Sequence, residues 1–530
     1  MLAAIYVFLL VAPAAHASAA LSKITLRLRD GGHRVMVDNF GRERQFHGTN
    51  VIVKGSPWLP ARDAFDPRNS LVAYDFELMQ AAGMNVIRLG VMWPGVEPVR
   101  GQYNETYLQI MTEIAAEAAT YGIYTLADMH QDALSERFCG EGIPRWASQP
   151  NDIVPFPLPF SRKPFGTSWN GFPTRQECST VSWSEVQFAP AATSAYQRLY
   201  DNSHDGLTDS WGKFWAKVAS AFGGAPELLG LELINEPNIG NPWTNPTRMI
   251  PDVGERVLQR AYDRLMEHIR PVAQDALVFF AGPTWMRTGN WFVDALPLGF
   301  THAPGGAEYA NRSVSAFHYY EGPQEKGRTA EYIAQQLRDA QKLQTGLFLT
   351  ETGGGSSKEF ANWTSFEHAA PSAEAKGVSW AIHGWKQYCT ETAESLNSSS
   401  QEAAFGACKT GVSTGPWTAD GKVDPSLLVR QSRPYVPAIA GNFSSHHYND
   451  TTRTMTFSFL MDSTIPAPTV VSLPTIIYPQ GYDITVDPRG AVLVGEKSAA
   501  SPLVDLTPGT ATAFGMTVTI TVTPKARHSL

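Results

Sequence analysis

The sequence predicts an α/β protein: a (β/α)8 TIM barrel followed by a C-terminal β-sandwich domain. Three observations carry this. Eight short apolar runs recur along the first four fifths of the chain, with amphipathic stretches such as "ETYLQIMTEIAAEAATYG" between several of them, the alternation an eight-stranded α/β barrel requires. From about residue 431 the composition changes to Thr/Val-rich segments broken by Pro and Gly ("TMTFSFLM", "PTVVSLPTIIYP", "MTVTITVTP"), which read as a small sandwich. The chain of 530 residues, 43 % apolar, is too long for one core and has apolar content for two.

Taken in order, residues 1–20 hold an apolar stretch followed by an Ala-x-Ala pattern at Ala15 and Ala17, the form of a secretory signal and shorter than a membrane span requires. The barrel domain is assigned to 21–430. It opens with a hairpin in "ITLRLRDGGHRVMVDN", turning at Asp30-Gly31-Gly32. The eight runs are "FHGTNVIVK", "NVIRLGVMW", "YTLADMH", "LLGLELIN", "ALVFFAG", "SVSAFHYY", "GLFLTE" and "GVSWAIHGW". Between the third and fourth, from Phe138 to Tyr200, lies a long stretch of little periodicity, with "PFPLPFSRKPFGTSWNGFP" at its centre. It reads either as a loop that caps the barrel or as an aromatic wall for an apolar part of a substrate, with Phe156, Phe160, Trp169 and Phe172 as candidates for lipid contact. The sandwich is assigned to 431–530.

A formal charge of -8 without long basic runs leaves no footprint for nucleic acid. The four cysteines are even in number, and Asn-x-Ser/Thr acceptors occur at Asn104, Asn311, Asn362, Asn397, Asn442 and Asn449. An oxidising, glycosylating route to a secreted destination, extracellular or endolysosomal, accommodates both. Nearness in sequence pairs Cys139 with Cys178 and Cys389 with Cys408, one of three possible connectivities; four buried free thiols are the alternative.

The chemistry is sought at the strand ends. "LELINEPN" places Glu232 and Glu236 four positions apart. Asn-Glu-Pro cannot continue a central strand, so Glu236 sits where a strand stops, the position that lines a barrel's site, whereas Glu232 lies within the strand. The other polar residues at strand ends are Lys54, Arg88, His130, Asp132, Asn235, His318, Tyr320, Glu351 and Trp385. Glu351 ends the apolar run "LFLT" and is the second carboxylate. Two carboxylates facing each other are the minimal equipment for glycoside hydrolysis, one protonated to donate and one ionised to attack. Arg88 and Tyr320 favour the ionised form of Glu351, Asn235 is placed for a sugar 2-hydroxyl, and Trp385 offers a flat face. Buried core histidines are the bland account of His130 and His318. A metal site fits less well, because the histidines lie on separate strands without a tight ligand pattern and this chemistry needs none.

Arg88, the "NEP" at 235–237, the "HYY" at 318–320, "LTETGG" and Trp385 together resemble retaining family 5 glycoside hydrolases. Within them, "NVIRLGVMWPGVEP" and "LADMHQDALSERFCGEGIPRWA" resemble endoglycoceramidases and related glycosylceramide hydrolases. The resemblance implies Glu236 as acid/base and Glu351 as nucleophile, with Lys54, His130, Asp132 and Asn235 binding the sugar next to the ceramide, Tyr320 and Trp385 completing the pocket, and no role for Glu232. It implies no cofactor. The expected substrate is a glycosphingolipid cut between glycan and ceramide, with transient contact to a membrane or micelle. Alternatives are a hydrolase of monosaccharide lipids such as glucosylceramide or a steryl glucoside, a β-glucan endohydrolase, or a catalytically silent glycolipid binder.

Overall fold

The computed structural model describes residues 20–150, 154–168, 171–202, 205–249, 253–284, 298–321, 327–353, 364–388, 415–418, 421–496 and 501–525. Each of the eight apolar runs contributes one strand of a closed parallel barrel: β1 (His47–Val51), β2 (Val86–Gly90), β3 (Tyr124–Asp128), β4 (Leu228–Glu232), β5 (Val278–Ala281), β6 (Ser313–Tyr319), β7 (Gly346–Thr352) and β8 (Ser379–Ile382). Sequential strands neighbour one another, and β8 closes on β1 through Trp380 opposite His47. The lower barrel is filled by side chains from successive strands, among them Phe46, Val86, Tyr124, Leu229, Phe279, Val314 and Phe348. Gly230 makes room for this layer, since a Cβ there would stand 2.5 Å from the Phe279 ring. Above the apolar layer the inward residues turn polar, with Asn50, Arg88, Asp128, Glu232 and Thr350 all buried. A barrel floor that is dry and a ceiling that is charged put the chemistry at the C-terminal rim.

The N-terminal hairpin forms as the turn residues require, with Gly31 and Gly32 at positive φ. Its sheet membership differs from the expected division. Residues Glu43–Arg44 pair with Ala438 and Ile439, so the hairpin joins a seven-stranded sheet whose other strands come from the C-terminal part. That sheet packs on a four-stranded antiparallel one across a core of Val436, Phe457, Phe459, Val471, Leu506, Val518 and Ile520. The alternation is clearest in Thr517–Pro524, where inward Val518, Ile520 and Val522 alternate with threonines.

An ionic cluster fastens barrel to sandwich. Arg433 donates to both oxygens of Glu374, at 2.7 and 2.9 Å, and to Asp450 at 2.9 Å. His47 lies between Trp380 and Tyr435, ring centroids 4.3 and 3.6 Å away. Breaking such a pair by removing one partner costs about 3 to 5 kcal/mol.

The stretch between β3 and β4 is not the featureless loop its composition suggests. It contains the helices Arg175–Cys178, Trp183–Phe188 and Pro190–Asp201. The last buries Pro190 to Tyr196, Leu199 and Tyr200, its small Ala, Thr and Ser residues among them. Cys139 and Cys178 form a disulfide that ties the start of this insertion to its first helix; Cys389 and Cys408 lie outside the described residues. Asn104, Asn311, Asn442 and Asn449 are exposed, whereas Asn362, Asn397 and the N-terminal apolar segment are outside the described residues. Among the described residues no helix is long and apolar enough to cross a membrane.

Candidate active site

Arg88 organises the site. Its guanidinium, fully buried in β2, donates from Nε to Glu232 at 2.7 Å, from Nη1 to Asn50 at 2.8 Å and Glu351 at 3.0 Å, and from Nη2 to Asn235 at 2.9 Å, with Asp128 3.0 Å from Nη2. One cation therefore faces three buried carboxylates on three strands. Burial alone would lower the Arg88 pKa, but Asp128, Glu232 and Glu351 outweigh it and raise it. Glu232, also held by the Thr350 hydroxyl at 2.9 Å, is a strand residue paired inside the barrel.

Glu351 is clamped on both oxygens. The Tyr320 hydroxyl donates to Oε1 at 2.8 Å and Arg88 to Oε2. A register shift between Leu349 and Glu351 sets Glu351 opposite His318 of β6. Burial would push this carboxyl up, but His383, His318, Arg88 and His130 together hold it well below the usual carboxylate range. The ionised form is the one these neighbours favour. Tyr320, pushed well above 10 by burial and by Glu351 and Glu236, remains a donor.

Glu236 leaves β4 in a strained left-handed conformation, φ 36°. Gln131 secures it: its Nε2 donates to the Asn235 and Glu236 carbonyls at 2.7 and 3.1 Å, while its Oε1 accepts from Tyr196 at 2.6 Å. The Glu236 carboxyl bonds His318 Nδ1 at 2.9 Å, and His318 Nδ1 is 3.9 Å from Glu351. Carboxyl oxygens of Glu236 and Glu351 lie within 4.8 Å of each other. So close an approach accords with the roughly 5 to 5.5 Å of a retaining pair better than with the roughly 6.5 to 9.5 Å that leaves room for an attacking water.

Beside the two carboxylates, Lys54 donates to Asp132 at 2.6 Å and stands 3.5 Å from Glu141. His130 bridges Asp128, at 2.8 Å, and Asp132, at 3.4 Å. His130, Asp132 and Glu141 converge closely enough to ligate a cation, as do Glu236, His318 and Glu351. In the first group Lys54 already supplies the positive charge, and in the second Arg88 does.

Burial would lower the His130 pKa, but the bonds to Asp128 and Asp132 raise it to about 9. Because the folded value exceeds the ordinary 6.5, the stabilisation, about 3 kcal/mol, is complete below pH 6.5 and lost as pH rises through 9. Thermal melting followed between pH 6 and 10 is expected to show the wild-type midpoint falling across that window, with His130→Gln starting lower and changing far less.

Nine of the ten anticipated site residues meet at this rim. The exception is Trp385, which is 0 % exposed: its indole N–H donates to Asp75 at 2.9 Å and its ring meets Trp417 edge-on. It therefore offers no face to a sugar. His383, two residues earlier, occupies the opening instead. Gln131, Asp128, Asn50 and His383 are the site residues that sequence reasoning missed. Asp128 was visible as a charge inside the apolar run "YTLADMH", and His383 as the polar residue directly after "SWAI", the very criterion that selected the others.

A parallel barrel with two facing carboxylates at its C-terminal rim defines a glycoside hydrolase. The chain belongs to glycoside hydrolase family 5: residues 68–388 match the family described as cellulase (glycosyl hydrolase family 5), and residues 433–522 match the glycoside hydrolase family 5 C-terminal domain. It is 36 % identical over 462 residues to an endoglycoceramidase of Cyanea nozakii, covering 86 % of each chain. It is likewise 36 % identical over 468 residues to an endoglycoceramidase of Hydra vulgaris, covering 87 % of this chain and 83 % of that one. The fold is that of endo-glycoceramidase II from Rhodococcus sp., at TM-score 0.66 and 23 % identity over 92 % of this chain and 99 % of that one.

Proposed function

We propose that the protein is a retaining endoglycoceramidase: it cuts the β-glycosidic bond between the glycan and the ceramide of glycosphingolipids and releases both intact. The observation that carries this is the pair Glu236 and Glu351, set at a retaining distance in a chain 36 % identical, over most of its length, to endoglycoceramidases.

In the first step Glu351, ionised and fixed by Arg88 and Tyr320, attacks the anomeric carbon while Glu236 protonates the glycosidic oxygen. The C–O bond to ceramide breaks and a glycosyl ester forms on Glu351. In the second step Glu236, now a carboxylate, takes a proton from water. That water attacks the anomeric carbon, and Glu351 leaves as carboxylate with net retention. Asn235 binds the 2-hydroxyl, and Lys54, His130 and Asp132 bind the remaining hydroxyls of that sugar. His318 holds Glu236 in place through its Nδ1.

The apolar half of the substrate lies along the rim. Phe160 from the insertion approaches Trp243 from the segment after β4, ring centroids 6.4 Å apart, and Trp243 is 50 % exposed. Phe156 packs between Phe138 and Phe165, Phe172 lies under Arg145, and Trp169 is outside the described residues. Trp243→Ser is expected to lower turnover of micellar glycosphingolipid roughly tenfold, from about 1.4 kcal/mol of lost apolar contact. Hydrolysis of a soluble nitrophenyl glycoside is expected to be unchanged, and equal loss on both substrates would contradict a lipid-facing role. The Cys139–Cys178 disulfide and the N-terminal segment support a secreted destination.

Incubation with a ganglioside, glucosylceramide and a soluble β-glucan, with products identified by mass, tests the substrate. Intact oligosaccharide plus ceramide is expected from the ganglioside. Cleavage of glucosylceramide alone, or of the β-glucan alone, overturns the reading.

A further inference from the structure

We propose that His383, in place of a tryptophan face, contacts the sugar whose anomeric carbon meets Glu351, and does so as a hydrogen-bonding partner. The inference rests on the glycosidase reading above and concerns how the pocket recognises its sugar.

Three observations carry it. Trp385, the aromatic ring that β8 was expected to present, is turned into the core and bonded to Asp75. His383 stands at the opening, with Nδ1 3.6 Å from Glu351 Oε2. Its ring is parallel to that of His130, 9° between planes and 6.4 Å between centroids, so two imidazoles lie side by side next to Glu351.

Solvent access separates His383 from the other nitrogen-bearing side chains around Glu351. The side chains of Arg88, His130 and His318 are 0 %, 1 % and 5 % exposed, whereas that of His383 is 23 % exposed. Arg88 is engaged with three carboxylates, His130 with Asp128, and His318 with Glu236. An incoming sugar therefore meets His383 first. The ring also acts on the chemistry, since it is foremost among the neighbours that bring the Glu351 carboxyl down against burial.

The physical consequence concerns selectivity. A flat indole holds a sugar through its C–H face and tolerates the loss of one hydroxyl, whereas an imidazole bonds a particular hydroxyl, and a site built around such a bond rejects the analogue lacking it. A hydroxyl missing from such a bond is expected to cost roughly ten- to a hundredfold in kcat/KM.

The test compares wild type with His383→Phe and His383→Trp on a series of monodeoxy nitrophenyl lactosides, each lacking one hydroxyl of the sugar at Glu351. At one position the wild type is expected to lose ten- to a hundredfold in kcat/KM, and both variants are expected to lose less than threefold there. A penalty that survives in both variants at every position overturns the inference, as does a His383→Trp enzyme as active as wild type on the parent lactoside.

Should the variants fail to fold, the imidazole resonance of His383 in the wild-type protein, titrated with lactose, decides the matter: a shift that saturates is expected, and none overturns the contact. A wild type that hydrolyses no glycoside contradicts the proposed function. The lactose titration still answers for His383.

Discussion

Glu351→Gly is expected to be inactive, with turnover reduced on the order of 10⁴- to 10⁶-fold, the scale on which removal of an attacking group acts. Sodium azide restores hydrolysis of an aryl lactoside and yields the α-glycosyl azide, because the anion enters the space the carboxylate vacated and attacks the same face once. Glu236→Ala behaves differently. It retains the first step on substrates whose leaving group needs no proton, and it loses that step on glycosphingolipid. Azide then gives the β-glycosyl azide, since it replaces water in the second displacement. Chromatography of the two azides checks the assignment. The opposite pattern, β from the Glu351 variant and α from the Glu236 variant, would exchange the roles.

Arg88→Lys carries the second large effect. The guanidinium reaches Asp128, Glu232, Asn235 and Glu351 at once from a fully buried position, and an ammonium cannot span that fork. The charge is kept, but carboxylates beyond the ammonium's reach lose their buried donor, which is expected to cost about 3 to 5 kcal/mol of stability. Loss of the donor on Glu351 is expected to lower kcat on the order of a thousandfold, with KM changed little, because ionised Glu351 matters most as bond-making begins. Denaturant melts and steady-state kinetics on the same preparation check both. Full activity in Arg88→Lys contradicts the organising role.

Much of this was legible before any coordinates. The eight apolar runs each became a barrel strand, because a strand buried on both faces reads as continuous Val, Ile, Leu and Phe. Glu236 was separable from Glu232 because Asn-Glu-Pro cannot continue a strand; the strand itself stops at Glu232, which did prove to be a buried partner of Arg88 and Thr350. What was not legible depended on three-dimensional competition. Helix Pro190–Asp201 packs a first half of small residues that carries no bulky apolar marker of burial. Trp385 was chosen for its aromatic face, yet buried Asp75 supplies an acceptor that holds the indole inside and leaves His383 at the opening. Gln131 acts through backbone carbonyls, a role that residue type alone does not announce.

The hairpin shows the same limit at the level of domains. Its turn was readable from Asp30-Gly31-Gly32, but its pairing with residues some four hundred positions away was not, because Glu43–Arg44 carries no local signal for its partner.

The most direct test of the central claim is to incubate the wild-type protein with an activated 2-deoxy-2-fluoro lactoside. The fluorine slows both steps while a good leaving group lets the first proceed, so the glycosyl-enzyme accumulates. Intact mass followed by peptide mapping is expected to show one fluorolactosyl group, on the peptide containing Glu351 and on that side chain. An adduct on Glu236, or none with an enzyme that still hydrolyses the parent lactoside, would contradict the account built around Arg88 and Glu351.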